Sequence, residues 1–212
     1  MKFNYASTPA HPRKIYTIMK NFVNENVTLM RDIDYTPIPP AGLTAEEWFE
    51  QVLNTEPVIE TEKVLFHVHK GNKCAAWDTD EFDTPICNIT MCPEELTSGG
   101  AEAIFRNACS RSATLKGFAK ITFALLHEVG HFMVAEEMQG VESTIERPED
   151  IISYAFDHSN NWKEFHDVYQ SFHYNQPEEK AATDWAINFL SDPNNRKITK
   201  AFEKEFFKAW RG

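Results

Sequence analysis

The chain has 212 residues, of which 42% are hydrophobic and 25% are charged, a composition typical of a globular domain. Its length allows one domain with a sizeable core. The net charge of −11 disfavours nonspecific binding to nucleic acid or to an anionic membrane, because both carry charge of the same sign. No stretch reaches the length of a signal-peptide core or a transmembrane helix, so we expect a cytoplasmic protein without a membrane partner.

The N-terminal part, residues 1–60, predicts two helices joined by a proline-rich linker. Apolar residues recur at helical spacing in "HPRKIYTIMKNFVNEN" (11–26). Three prolines in "YTPIPPAG" (35–42) fix φ and remove hydrogen-bond donors, which predicts a stiff, extended linker. Thr44 and Glu47 then match a capping box that opens the second helix.

The middle part, residues 61–112, predicts a small sheet. "KVLFHVH" (63–69) and "CAAWD" (74–78) flank a glycine-containing turn, so we predict that they form a β-hairpin. "TPICNITMC" (84–92) reads as a third strand, and its proline near the start suits an edge of the sheet.

The C-terminal part, residues 113–212, predicts a run of helices. The first extends from about residue 115 to Gly140 and is apolar nearly all the way round, so it should lie inside the protein. Later helices are predicted to begin near Pro148, to cover 161–173, and to begin again at Pro177. The last shows a stripe of large apolar residues at helical spacing: Ile198, Phe202, Phe206 and Trp210. Helices, a small sheet and more helices make a single α+β domain spanning 1–212.

The predicted buried helix contains the stretch "FALLHEVGHF", which has the form HExxH. His127 and His131 lie four residues apart and point the same way on a helix. Two imidazoles on one face can bind a zinc ion. Glu128, rotated by about 100° from His127, is left free to accept a proton from a water on the metal. The spacing therefore predicts a zinc site with a general base. The alternative is chance, with both histidines satisfied by carbonyl or carboxylate groups.

A catalytic zinc ion needs a third protein ligand, and "PEEKAATDWAINFL" (177–190) offers three carboxylates. Glu178 and Glu179 border the apolar stripe of this predicted helix, whereas Asp184 projects to the opposite side. The residue pattern leaves the two glutamates unresolved. Other candidates for metal binding or catalysis are the downstream histidines His158, His166 and His173, the deformylase-like alternative Cys109, and, for a second metal, His67 and His69.

Taken together, "HEVGH" and the later "EKAATDWA" (179–186) resemble the ImmA/IrrE group of gluzincin metallopeptidases. The resemblance implies a zincin-like fold, with a small antiparallel or mixed sheet packed on a mostly helical body. It also implies Glu179 as the third ligand and a protein substrate, such as a repressor-type regulator of a phage or mobile element. The chain departs from the pattern at Thr183, where the group tends to have Asn or Asp, and in an apparent helical insertion at 140–175.

The sequence as a whole predicts a zinc metallopeptidase that cleaves a protein or peptide. His127, His131 and Glu179 would bind zinc, and Glu128 would act as the general base. His173, Tyr174 and Tyr154 are candidates for stabilising the transition state. The strand at 86–91 would align the substrate by backbone pairing. The alternative is a zinc-stabilised interaction module, a pseudo-peptidase without hydrolytic activity.

Overall fold

The structure, a computed structural model, describes most of the chain. The described residues are 8–35, 42, 44, 46–48, 50, 58–71, 75–79, 86–96, 99–134 and 148–212. The helices with described bounds are α1 (Pro12–Asn26), α2 (Gly99–Arg111), α3 (Lys120–Val134), α4 (Pro148–Asp157), α5 (Trp162–Asn175), α6 (Pro177–Ser191) and α7 (Pro193–Arg211). The strands are β1 (Met30–Tyr35), β2 (Val58–Lys63), β3 (Leu65–Lys70), β4 (Ala75–Thr79) and β5 (Ile86–Met91). This is an α+β fold, as predicted.

The five strands in the described ranges form two separate sheets. β1 and β2 pair as an antiparallel ribbon, in which Met30 lies opposite Lys63. The other three strands have the order β3-β5-β4. In that sheet β5 is parallel to β3 and antiparallel to β4. The three-stranded sheet is therefore mixed.

The predicted pairing of the three-stranded sheet is wrong. β3 and β4 do not form a hairpin, because each pairs with β5, which lies between them. β5 is consequently the central strand and not an edge. The described ladder begins at Ile86 and does not include the proline on which the edge prediction was based. Its buried side chains alternate at Cys87, Ile89 and Met91.

The ribbon and α2 lie where the sequence did not predict them. β1 falls inside the part expected to hold only helices and a linker, and α2 falls inside the part expected to hold the sheet. β2 is short and charged, and its apolar residues Val58 and Ile59 are exposed, so the strand lacks the buried stripe that a pattern can reveal.

The capping box in the N-terminal part is confirmed. The Thr44 N–H donates to the Glu47 carboxylate at 3.0 Å, and the Glu47 N–H donates to Thr44 Oγ1 at 3.3 Å. Backbone 46–48 is helical. Of the predicted linker at 35–42, Tyr35 is the last residue of β1, and residues 36–41 lie outside the described residues.

The core is built where α1 packs on α7 and on β3, and where α3 packs on β4 and β5. Phe22 of α1 stacks on Phe202 of α7 with ring centroids 4.3 Å apart, and Phe66 of β3 meets Phe132 of α3 at 5.8 Å. The N–H of Ala10 donates to the carbonyl of Trp210 at 2.8 Å, so the start of α1 is tied to the end of α7. The predicted helices near 11–26, 148, 161–173, 177 and 198–210 are all present.

Helix α3 is buried on nearly all sides, as predicted, but it begins at Lys120 and not near residue 115. The preceding residues Ala113–Gly117 form a 3₁₀ helix. Glu203 of α7 determines where α3 begins: one of its oxygens accepts the Ala119 N–H at 2.6 Å and the Thr122 hydroxyl at 2.7 Å. A carboxylate is favourable there because the unpaired N–H groups of a helix start carry partial positive charge.

The predicted end of α3 at Gly140 lies outside the described residues; the described helix runs to Val134. Neither α3 nor any other helix in the described ranges combines the length and the apolar character needed to cross a membrane.

Candidate metal centre

The two histidines of the HExxH motif lie on the face of α3 that packs on α6. Both side chains are buried, and their ring centroids are 4.7 Å apart. The two helices approach closely because Gly130 has no side chain: a Cβ atom placed there would lie 2.5 Å from the carbonyl oxygen of Ala182. Gly130 thus allows α6 to bring its side chains within reach of both imidazoles.

We expect Gly130→Ala to destabilise the metal-free protein by about 1–3 kcal/mol, the usual cost of overpacking. The expected loss is net of the gain of about 1 kcal/mol that alanine brings to a helix interior. Unfolding in denaturant would measure it. Gly117→Ala is the matched control, because a Cβ there meets its nearest neighbour, an Arg196 nitrogen, at an ordinary 3.7 Å. Equal stability of the two variants would contradict the close contact of α3 with α6.

Glu179 is the carboxylate that α6 places beside the histidines. Its side chain is only 6% exposed, and its Oε2 lies 3.0 Å from Nε2 of His127. Its Oε1 lies 3.5 Å from Nε2 of His131. The neighbouring Glu178 is exposed. The geometry therefore selects Glu179 from the two glutamates that the residue pattern left open.

Thr183 and Asp184 follow on α6 and face different ways. The Thr183 hydroxyl lies 3.3 Å from Nδ1 of His127, which leaves the other ring nitrogen directed at Glu179. Thr183 thus occupies an orienting position for His127 in the absence of Asn or Asp. Asp184 is exposed and pairs with Arg111 of α2, in agreement with its predicted place on the opposite side of the helix.

His173, in the last turn of α5, also reaches Glu179. Its Nε2 lies 3.1 Å from Oε1 of Glu179, and its side chain is 40% exposed. The side chain of Tyr174, the neighbouring candidate for stabilising the transition state, lies outside the described part of the structure. Tyr154 is exposed on α4 and stacks on His158, with ring centroids 3.8 Å apart.

The remaining candidate residues whose side chains are described do not join this cluster. Among the described residues, the group of three or more potential ligands that could hold a metal ion is His127, His131 and Glu179, with ligand atoms within 4.8 Å of one another. Cys109, His67, His69 and His158 are described but are not members of it. The side chain of His166 lies outside the described part.

Burial and neighbouring groups act in opposite directions on the pKa values of Glu128, Glu179 and His131. Burial raises the pKa of Glu128, and the nearby imidazoles of His127 and His131 only partly offset it. Burial alone would also raise the pKa of Glu179, but hydrogen bonds from His127 and His131 hold it well below its usual range. For His131, burial would lower the pKa, yet the hydrogen bond to Glu179 outweighs this and raises it.

Three facing groups of these types fit a divalent metal ion. Zinc binds histidine nitrogen and carboxylate oxygen at about 2.0–2.2 Å in tetrahedral geometry. Neighbouring ligand atoms of such a tetrahedron are about 3.3 Å apart. Nε2 of His127 lies 3.0 Å from Oε2 of Glu179, and Nε2 of His131 lies 3.5 Å from Oε1. Each contact, made to a different carboxylate oxygen, is close to that spacing. Two histidines and a glutamate, with a fourth position available, are the ligand set of many catalytic zinc sites.

Comparison with known proteins adds no assignment to the site. The chain matches no family model, no curated protein and no solved structure. The resemblance to ImmA/IrrE metallopeptidases therefore stays a prediction from two short motifs. The functional interpretation rests on the geometry of the centre.

Two contacts of the centre were not predicted. The sequence marks Thr183 only as a departure from a pattern and does not predict its hydroxyl contact with His127. It offers His173 for other roles, whereas the structure places His173 against the candidate ligand Glu179. The available signal was weak: His173 continues the helical spacing of Trp162, Phe165 and Tyr169, which places it on a shared face of α5.

Proposed function

We propose that the chain is a zinc-dependent peptidase that hydrolyses a peptide bond in a protein substrate. The observation that supports this most is the buried Glu128 beside the group formed by His127, His131 and Glu179. A purely structural zinc site usually has four protein ligands and needs no base. Here three ligand residues meet on two helices. A fourth residue, the acidic Glu128 with its raised pKa, lies close enough to interact electrostatically with all three.

Each residue has one role in the proposed reaction. Bound zinc would supply Lewis-acid chemistry, polarising the scissile carbonyl and making a water molecule more acidic. Glu128 accepts a proton from the attacking water while the water oxygen bonds to the scissile carbonyl carbon. Glu128 then donates that proton to the amide nitrogen as the C–N bond breaks, which releases an amine and a carboxylic acid. Burial suits Glu128 to both steps because it raises the pKa of the carboxyl group towards neutral pH. A group with a pKa nearer the working pH can both accept and donate a proton.

Substrate alignment requires a free strand edge, and β5 does not have one. Both edges of β5 are paired, so the predicted alignment along 86–91 is wrong. β4 is an outer strand of the described sheet, and it packs against α3. We propose that an extended substrate pairs with the edge of β4 that faces away from β5, as in other cases of strand addition. By resemblance, this substrate would be a regulatory protein.

A zinc-stabilised interaction module is the second candidate function. It is favoured by aromatic side chains exposed where α4 ends and α5 begins: Phe156 is 59% exposed and Trp162 is 72% exposed. Exposed aromatic residues are typical of protein-binding surfaces. Such a module would use the metal ion for stability alone, so it would not depend on Glu128 as a base.

Metal analysis of the purified protein tests the centre that both candidates share. We expect about one zinc ion per chain, and we expect His127→Ala to lose it, because two remaining ligands seldom hold zinc. His69→Ala, a change at an exposed strand residue outside the cluster, is the control and should keep its zinc. Full occupancy in His127→Ala would contradict the proposed centre.

A further inference from the structure

The carboxylate of Glu179 has a contact that metal binding does not itself require. Its Oε2 faces His127, and its Oε1 faces both His131 and His173. An ionised carboxylate only accepts hydrogen bonds, so the proton on the contact of 3.1 Å belongs to Nε2 of His173. His173 comes from α5, whereas the three ligand residues come from α3 and α6.

We propose that His173 is a positioning residue, which fixes the orientation of the Glu179 carboxylate for metal binding. The inference rests on the metal centre of the proposed function. A glutamate side chain can rotate about its last torsion angle almost freely. A hydrogen bond to Oε1 removes that freedom and leaves Oε2 directed towards Nε2 of His127. Hydrogen bonds to ligand residues are a known means of raising metal affinity.

His173 is itself held by a row of stacked rings along α5. Tyr169 lies one turn earlier, with its ring 6.2 Å from that of His173 and tilted by only 10°. Phe165 stacks on Tyr169 in turn, and Trp162 stacks on Phe165. Neighbouring Phe172 packs against Tyr154 of α4 at 4.5 Å. The pose of the imidazole is therefore tied to the packing of the α4–α5 pair.

His173 is placed to support a ligand and not to act as one. The group whose ligand atoms all lie within 4.8 Å of one another comprises His127, His131 and Glu179, without His173. With a side chain 40% exposed, His173 also lies nearer the surface than any of the three. Its described contact with the centre is with the carboxylate of Glu179.

Two substitutions at this position separate hydrogen bonding from shape. His173→Phe keeps a flat ring against Tyr169 but has no N–H, whereas His173→Gln can present an amide N–H at a similar reach. Zinc affinity would be measured on the full chain by competition with a chromophoric chelator. We expect His173→Phe to bind zinc about 10–100-fold more weakly. We expect His173→Gln to recover most of that loss.

A matched control exists in the neighbouring helix. His158 stacks on Tyr154, which is four residues earlier, as His173 stacks on Tyr169. His158→Phe makes the same chemical change at an exposed position outside the cluster, so its zinc affinity should equal that of the wild type. The unfolding temperature of each metal-free variant shows whether the fold is intact, and His173→Ala replaces His173→Phe if the latter does not fold.

Several results would overturn the inference. The inference is wrong if His173→Phe binds zinc with wild-type affinity. If that variant keeps its zinc affinity but turns over substrate more slowly, His173 contacts the substrate instead. Equal losses in His173→Gln and His173→Phe, with a changed visible spectrum of the Co²⁺-loaded protein, would make His173 a ligand. Failure of the proposed function gives a different result. A wild-type protein that binds no metal would show that there is no metal centre. A wild-type protein that binds metal but hydrolyses no substrate would contradict the peptidase proposal and leave the role of His173 intact.

Discussion

Glu128→Gln is expected to lower the rate of peptide-bond hydrolysis by about 10²-fold or more while leaving the metal in place. Glutamine has nearly the same size as glutamate, but its amide cannot take a proton from the attacking water. Glu128 is buried and is not one of the three ligand residues, so zinc content should stay at the wild-type level. Burial of an uncharged amide also avoids the cost that raises the pKa of the acid, so stability should not fall.

Turnover of a protein substrate and zinc content would be measured on the same preparation. Glu178→Gln is the matched control, since it makes the same change on the exposed neighbour of a ligand. The result also separates the two candidate functions. An interaction module carrying Glu128→Gln should bind its partner as well as the wild type does. A fully active Glu128→Gln protein would end the hydrolase proposal even with zinc firmly bound.

Glu179→Ala is expected to weaken zinc binding by more than about 100-fold. Loss of a hydrogen bond to a ligand residue costs about 10–100-fold in metal affinity, and this substitution should cost more. The substitution removes a ligand atom itself. It also leaves His127 and His131 buried without the carboxylate that both of them face at 3.0 and 3.5 Å. Titration with zinc in the presence of a competing chelator would measure the effect.

Glu178→Ala and Asp184→Ala serve as controls for this result. Glu178 is exposed, and Asp184 pairs with Arg111 away from the cluster, so both variants should bind zinc normally. A larger loss in Glu178→Ala than in Glu179→Ala would mean that the ligand helix is turned by one residue. No loss in any of the three would place the third ligand on another residue.

The helices and the two candidate ligands on α3 could be predicted because local spacing determines them. His127 and His131 face the same way on any helix, and the apolar surroundings show that this helix is buried. Proline and capping residues likewise mark helix starts, as at Pro12, Pro148 and Pro177. The start of α3 could not be predicted in this way, because it depends on Glu203, more than eighty residues later.

The strand order and the finer contacts of the centre depend on packing between distant residues. The same strands could pair as a hairpin or through β5, and nothing in "KGNK" chooses between these arrangements. Glu178 and Glu179 have nearly the same relation to the apolar stripe of α6. Only the close approach at Gly130 and Ala182 determines which of the two reaches the histidines.

The hydrogen bonds from Ala119 and Thr122 to Glu203 determine when the start of α3 can be completed during synthesis of the chain. The ribosome synthesises His127, His131 and Glu179 before it reaches α7. A nascent chain can therefore expose the complete set of ligands while the start of α3 still lacks its carboxylate partner. Strands β3 to β5 and α1 are made earlier still, yet α1 must wait for Phe202 and Trp210 before its buried face is covered. Maturation of the centre is thus tied to the synthesis of α7, which follows all three ligand residues in the chain.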